Sequence, residues 1–190
     1  MSPVTHFLIG WGAANMGALR RRERVAVALA GVIPDADGLG MVVDFFTRHA
    51  AQPTNWWGEY HHTFGHNLFT GLAVAAATFL LASRRWTAAA LALVSFHLHL
   101  LGDLIGARGP DGDQWPIHYL WPVSGWPALT WSGQWPLNAW PNFAITAVFL
   151  ALMFCLAWRR GYSPLEMVSA RADSAFIRTL RARFPLPEPR

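Results

Sequence analysis

Five apolar segments constrain the fold of this chain more than any other feature of its sequence. They cover residues 4–19, 25–33, 67–83, 86–106 and 142–158. A complete membrane crossing needs about 20 apolar residues; the fourth segment is long enough, the third and fifth are slightly short, and the first two are too short alone. No segment keeps the two-residue alternation of a strand. The sequence therefore predicts an all-α, membrane-associated antiparallel helical bundle.

The position of the basic residues predicts how this bundle lies in a membrane. Charged residues make up only 14% of the 190 residues, which argues against a nucleic-acid partner. Arginines follow the first, third and fifth segments, as Arg20, Arg21, Arg22, Arg24, Arg84, Arg85, Arg159 and Arg160. If successive segments alternate in direction, these clusters share one side, which the positive-inside rule makes cytoplasmic. A soluble bundle with solvated basic turns is the alternative interpretation.

Residues 107–141 form a long connection that is rich in tryptophan and proline. Six of the 11 tryptophans lie there, five of them directly before proline. Because a residue before proline avoids helical geometry, we expect an irregular loop. It is interpreted as an aromatic belt at the lipid headgroups, as a lid over a site, or as plain packing. If it is a lid, His118 could serve there as a ligand or an acid.

The sequence divides into a membrane-embedded helical domain, residues 1–161, and a C-terminal amphipathic helix with its tail, residues 162–190. Ser163, Pro164 and Glu166 form a capping-box pattern that predicts a helix from Ser163 to about Arg183. Its basic face fits an anionic membrane surface. Docking against the bundle, with the arginines in solvent, explains the pattern equally well.

Histidines and aspartates occur at the segment ends opposite to the arginines. With alternating helix directions, they all meet at one end of the bundle. Imidazole nitrogens and carboxylate oxygens are common zinc ligands, and residues four apart share a helical face, as His99 and Asp103 do. The sequence therefore predicts a divalent metal site, with zinc as first choice and room for two or more ions. The candidate ligands are His6, Asp35, Asp37, His61, His66, His99 and Asp103.

Together these motifs resemble a family of bacterial inner-membrane metal-dependent hydrolases, formerly classed as a domain of unknown function. The resemblance covers residues 3 to 125 and rests on Thr5-His6 with Gly10, on Pro34-Asp35-Ala36-Asp37, on residues 61–66, and on His99 with Asp103. The family is distantly similar to zinc-dependent phospholipases C. By analogy, this similarity implies hydrolysis of a phosphoester.

Residues 61–66 depart from the pattern of that family, which usually reads His-Arg-Gly-x-Thr-His-Ser. Here His62 stands in place of the arginine and Gly65 in place of the threonine. If this segment is helical, His62 shares a face with His66, and His61 can join His66 only if the helix begins after it. We take His61 and His66 as first choice, with His62 as a replacement ligand or a proton shuttle.

We therefore expect a membrane-bound metal-dependent hydrolase with its site on the extracytoplasmic side of the bacterial inner membrane. Metal-activated water would attack an ester or phosphoester of a lipid-like substrate, with Asp35 or Asp37 as the proton acceptor and His62 as a further catalytic residue. One alternative is a non-catalytic scaffold whose structural metal clamps the helix ends. Another is a metal or proton transporter that uses the same residues as a relay.

Overall fold

Helices make up nearly all of the regular structure, which confirms the predicted all-α fold. The computed structural model describes residues 1–109, 112–126 and 128–187. Among these residues there are eight α-helices and two 3₁₀ segments. They are α1 (Pro3–Ala14), α2 (Arg21–Ala30), the 3₁₀ segment Ile33–Leu39, α3 (Gly40–Thr47), α4 (Trp56–Tyr60), α5 (Leu68–Leu81), α6 (Arg85–Gly106), α7 (Trp140–Arg160), the 3₁₀ segment Pro164–Met167 and α8 (Ala170–Arg183).

Small residues allow the central helices to approach closely. The buried positions of α1, α2 and α6 include Ala13, Ala14, Ala30, Ala88 and Ala92. A side chain at Gly10 would place its Cβ 2.8 Å from the carbonyl oxygen of Ala28, so that only glycine permits this contact between α1 and α2. Close backbone approach through small residues is typical of helices that pack within membranes.

Among the described residues, two helices are long and apolar enough to cross a membrane. These are α6, with 22 residues, and α7, with 21 residues, and their most apolar windows have mean hydropathies of 1.7 and 1.9. A third crossing results if α2 and residues 33–47, which are bent by 53° relative to each other, form one broken span. Trp86 and Trp140 begin α6 and α7 and are exposed, as expected for aromatic residues at the two membrane interfaces.

The arginine clusters meet at one end of the bundle, here termed the arginine end. The Arg20 side chain donates a hydrogen bond of 2.9 Å to Ser83 Oγ. Glu23 accepts hydrogen bonds from the backbone N–H groups of Ser83 and Arg84, at 2.9 and 2.8 Å. These contacts join the start of α2 to the turn between α5 and α6. The antiparallel arrangement that the sequence predicts is therefore confirmed.

The C-terminal segment does not form the single helix predicted from Ser163. A 3₁₀ segment ends at Met167, and α8 starts separately, with the Ser169 side chain accepting a hydrogen bond from Ala172 N. The expected capping box is absent from this described segment because Glu166 instead accepts two hydrogen bonds from Arg24, both 2.7 Å long. This buried ion pair favours docking against the bundle. Residues 188–190 of the tail lie outside the described residues.

The connection between α6 and α7 is non-helical, as its Trp-Pro pairs predict. A short antiparallel pair of strands, β1 (Ile117–His118) and β2 (Ala128–Leu129), lies within it. Ile117 is buried against Phe96 and Leu100 of α6. This contact anchors the connection next to the end of α6 that carries His99 and Asp103.

Candidate metal centre

Four segments bring the candidate ligands together at the end of the bundle opposite the arginine end. His6 lies on α1, and Asp35 and Asp37 lie on the 3₁₀ segment that follows α2. The turn between α4 and α5 carries the histidines of residues 61–66, and the last turns of α6 carry His99 and Asp103. The predicted meeting of these segments at one end therefore occurs.

Four of these residues form a compact group that could hold a metal ion. One ligand atom from each of Asp35, His66, His99 and Asp103, here termed the four-residue group, lies within 4.8 Å of all the others. Asp103 Oδ2 is 3.0 Å from His99 Nε2 and 3.3 Å from His66 Nε2. Asp35 Oδ1 is 3.7 Å from His99 Nε2. Asp35 is partly exposed, whereas the other three are buried.

The hydrogen bonds of the two imidazoles determine which nitrogen is free to bind a metal. His99 Nδ1 lies 2.9 Å from the carbonyl oxygen of Gly31, which can only accept, so Nδ1 carries the hydrogen. His66 Nδ1 lies 3.0 Å from Asp37 Oδ2 and donates to it in the same way. In the neutral form of each ring, Nε2 therefore presents a lone pair, and the two Nε2 atoms face each other at 3.0 Å. Such an arrangement requires a shared cation, either a proton or a metal.

The electrostatics of the centre attract positive charge to His66. Burial alone would lower the pKa of His66, but hydrogen bonds to Asp103 and Asp37 and the charges of these carboxylates outweigh it and raise the pKa to about 9. A metal that binds at this nitrogen must displace the proton, as for any histidine ligand.

Asp37 bonds to the Nδ1 atom of His66 and lies outside the four-residue group. Its Oδ2 accepts hydrogen bonds from His66 Nδ1 and from Gly65 N, the latter at 2.9 Å, and its Oδ1 accepts from His61 Nδ1 at 2.8 Å. Carboxylates in this position orient metal-binding imidazoles and fix their tautomers. The sequence predicts Asp37 and His61 as ligands; the structure places both outside the four-residue group, with Asp37 bonded to the Nδ1 atoms of His66 and His61.

His6 and His62 lie next to Asp103. The His6 ring stacks on His99 with 3.7 Å between centroids, and its Nε2 is 3.0 Å from Asp103 Oδ1, which the Met1 amino group also contacts. His62 Nε2 is 3.8 Å from Asp103 Oδ2. Among the described residues, His6 Nδ1, His62 Nδ1 and Asp35 Oδ2 are buried without a hydrogen-bond partner. The ligand atoms of the four-residue group could therefore hold one metal ion.

The segment of residues 61–67 is a turn, so the helical spacing of its histidines does not apply. His61 follows the last residue of α4 with an extended backbone, α5 begins after Asn67, and His62 adopts a left-handed φ of 70°. The condition under which His61 can join His66, that the helix begins after it, is met. A Cβ at Gly65 would collide with the carbonyl oxygen of Pro34. The absence of a side chain at Gly65 therefore allows this turn to pack against the segment that carries Asp35.

Two tryptophan rings pack against His61 and His62. Trp57 stacks on His61 at 4.0 Å, and the Trp115 centroid lies 5.1 Å from that of His62. This position of Trp115 favours the lid interpretation of the long connection, whereas the exposed Trp126 is as expected for an aromatic belt. His118 lies outside the four-residue group, and its Nδ1 is 3.3 Å from the Gly125 carbonyl oxygen.

Two adjoining cavities reach this end of the bundle. The apolar cavity, of about 350 Å³, is lined by Asp35 and Asp103 together with mainly apolar side chains. The polar cavity, of about 160 Å³, is lined in part by Glu59, Thr63 and His118. The two cavities share four lining residues, Trp57, His61, His62 and Trp115.

Sequence reasoning missed two contributors to this centre. The Gly31 carbonyl that orients His99 comes from the backbone, and no side-chain pattern reports it. Trp57 precedes His61 by four residues, a spacing that places both on one helical face and could have indicated their stacking.

Comparison with known proteins supports a membrane location. The family model for YdjM inner membrane protein matches residues 1–172. No curated protein and no solved structure matches the chain. The inner-membrane part of the resemblance is thus confirmed, and nothing in these comparisons bears on hydrolysis or on phospholipases C.

Proposed function

The chain belongs to the YdjM inner membrane protein family, and on this premise we propose that it is a membrane-bound metal-dependent hydrolase of an ester or phosphoester. The observation that carries the proposal is the pair of facing Nε2 atoms of His66 and His99, 3.0 Å apart. With the carboxylates of Asp35 and Asp103 they form a ligand set of the kind that binds zinc.

The exposure of Asp35 favours a catalytic over a purely structural metal. Structural zinc sites are closed, whereas catalytic sites keep one position open to water or substrate. Asp35 is the one partly exposed member of the four-residue group, and it lines the apolar cavity together with Asp103. A divalent metal bound here would supply a water of lowered pKa and would polarise the ester oxygen.

Asp35 and His62 are the residues we assign to proton transfer. Asp35 Oδ2 is buried and has no hydrogen-bond partner among the described residues, so it is free to accept the proton of an attacking water. His62 lines both cavities, and its Nδ1 also has no partner there, so it can donate to the leaving group. Asp37 keeps His66 in place through the bond to its Nδ1.

We infer that the centre faces the extracytoplasmic side of the bacterial inner membrane. The support comes from the arginine end, which carries clusters from three separate turns, while the four-residue group lies at the other end. Positive residues concentrate on the cytoplasmic side of inner-membrane proteins. A lipid-like ester of the bilayer can reach a site at this end of the bundle.

A scaffold with a structural metal is the second candidate function. The observation that favours it is that the four-residue group joins three segments, namely residues 33–39, the turn before α5, and α6. A structural metal contributes directly to folding. Removal of the metal would then unfold the protein, whereas a catalytic metal can be removed with the fold retained.

The test is turnover of bis(p-nitrophenyl) phosphate and p-nitrophenyl butyrate by detergent-purified, zinc-loaded protein. We expect turnover by the natural protein and by His97→Ala, because the His97 ring lies on α6 but bonds to Leu93 and Tyr119 instead. Asp35→Asn should reduce turnover roughly 100-fold or more. Turnover of neither compound by protein that holds its metal would favour the scaffold.

A further inference from the structure

We infer that the substrate is an amphiphile whose hydrocarbon chain occupies the apolar cavity and whose polar head occupies the polar cavity. This inference rests on the proposed hydrolase function and names the substrate class for the same centre. It is carried by the different linings of the two cavities and by His61 and His62, which line both of them.

The apolar cavity has the size and lining to bind part of a hydrocarbon chain. Its apolar lining includes Leu39, Met41, Ala107 and Leu137. A volume of about 350 Å³ lies within the range of roughly 300–1,000 Å³ for small-ligand pockets. Each methylene group buried there raises affinity roughly fourfold. An ester without a hydrocarbon chain would gain no affinity from this apolar lining.

The mouth of the apolar cavity opens onto a surface suited to contact with lipid. Leu39 and Met41 are 65% and 57% exposed. Leu39 precedes α3 and Met41 lies on it, and the exposed residues of this helix include Phe45 and Phe46. Residues 33–47 form the second half of the candidate broken span. A chain can therefore enter the cavity sideways from the bilayer without crossing water.

The polar cavity has a more polar lining than the apolar cavity and shares His61 and His62 with it. Glu59, Thr63 and His118 supply a carboxylate, a hydroxyl and an imidazole. His61 and His62 line both cavities, while Asp35 and Asp103 line the apolar one. In an amphiphile that spans both cavities, the bond between chain and head lies beside His61 and His62, with Asp35 and Asp103 on the side of the apolar cavity.

The first test measures binding and needs no turnover. The probe is a dodecylphosphonate with a diazirine at the end of its chain, a non-hydrolysable amphiphile, incubated with the purified protein in detergent and then irradiated. We expect mass spectrometry to find label near Leu39, Met41 and Leu137, and unlabelled dodecylphosphonate to suppress it. Label on the outer surface of α7 alone, or label that the competitor leaves unchanged, would overturn the inference.

The second test compares two matched leucines. Leu39→Gln should weaken dodecylphosphonate binding at least tenfold, while Leu80→Gln, an exposed leucine near the arginine end, should leave it unchanged. Met41→Gln provides a second variant at the cavity mouth, and unchanged metal content shows that each variant is folded. Equal binding by the Leu39 and Leu80 variants would contradict the inference.

The two proposals fail in different ways. If the protein binds the probe as described but hydrolyses no ester, the hydrolase function is wrong and the amphiphile site stands. If it hydrolyses water-soluble esters, and neither chain length nor Leu39→Gln changes binding, the hydrolase function stands and the amphiphile site is wrong.

Discussion

His66 and His99 face each other through Nε2 atoms 3.0 Å apart, although 33 residues separate them in the chain. Each imidazole donates a hydrogen bond from its Nδ1 atom, in His66 to the Asp37 carboxylate and in His99 to the Gly31 carbonyl group. The tautomers are thus set by contacts outside the four-residue group. A centre with fixed, converging lone pairs is organised for a cation before the cation arrives.

Asp37→Asn should weaken metal binding without removing a ligand. The amide keeps the shape of the side chain but loses the charge that orients the imidazoles of His66 and His61. Loss of such an orienting carboxylate typically costs 10–100-fold in metal affinity. Titration with a competing chelator measures this, and Asp113→Asn, at an exposed position, serves as the control. Equal affinity in both variants would mean that Asp37 does not orient the ligands.

Gly65→Ala should destabilise the protein and reduce its metal affinity. The new Cβ would collide with the Pro34 carbonyl oxygen and push the turn of His66 away from the segment of Asp35. Overpacking of this kind costs about 1–3 kcal/mol in the free energy of unfolding. Gly125→Ala is the matched control because its Cβ would meet open space. Chemical denaturation in detergent compares the two, and a cost that is the same for both would refute the close contact.

The sequence predicts which end of the bundle carries the histidines and aspartates more reliably than it predicts the role of each of these residues. Alternating segment directions bring His6, Asp35, His66, His99 and Asp103 to one end, because helix direction follows from segment order alone. The division between the four-residue group and the residues that contact it could not be predicted in this way. It depends on the turn of residues 61–67, whose backbone places His61 beside Asp37, and on a carbonyl group at Gly31.

The C-terminal segment shows how a long-range contact overrides a local pattern. Ser163, Pro164 and Glu166 satisfy the capping-box rule, yet Glu166 bonds to Arg24, 142 residues earlier. Ser163 instead donates its N–H and hydroxyl hydrogens to Asp173. Since a buried arginine must be paired, the ion pair outweighs the cap.

Arg24→Met should destabilise the protein by about 3–5 kcal/mol, because it leaves the Glu166 carboxylate buried without its partner. The double variant Arg24→Met with Glu166→Leu should recover most of that loss. Arg22→Met, at an exposed arginine, should change the free energy of unfolding by no more than about 0.5 kcal/mol. Denaturation curves in detergent provide the comparison. A double variant as unstable as the single one would contradict this account of the pair.

The proposed orientation predicts which residues a membrane-impermeant maleimide reaches in intact spheroplasts. In a Cys155→Ser background, Asp113→Cys should react directly, while Ser83→Cys should react only after permeabilisation. Both positions are exposed, so burial does not limit the reaction. The reverse pattern would place the centre in the cytoplasm, and direct reaction at both positions would contradict a bundle that crosses the membrane.

Metal content per chain tests the central claim most directly. Elemental analysis of detergent-purified protein should find about one bound divalent ion or more in the natural protein and in His97→Ala. The His99→Ala variant should lose at least about nine-tenths of that metal, since it removes one of the two facing nitrogens. A natural protein without metal, or a His99→Ala variant that retains as much as His97→Ala, would contradict the assignment of this centre.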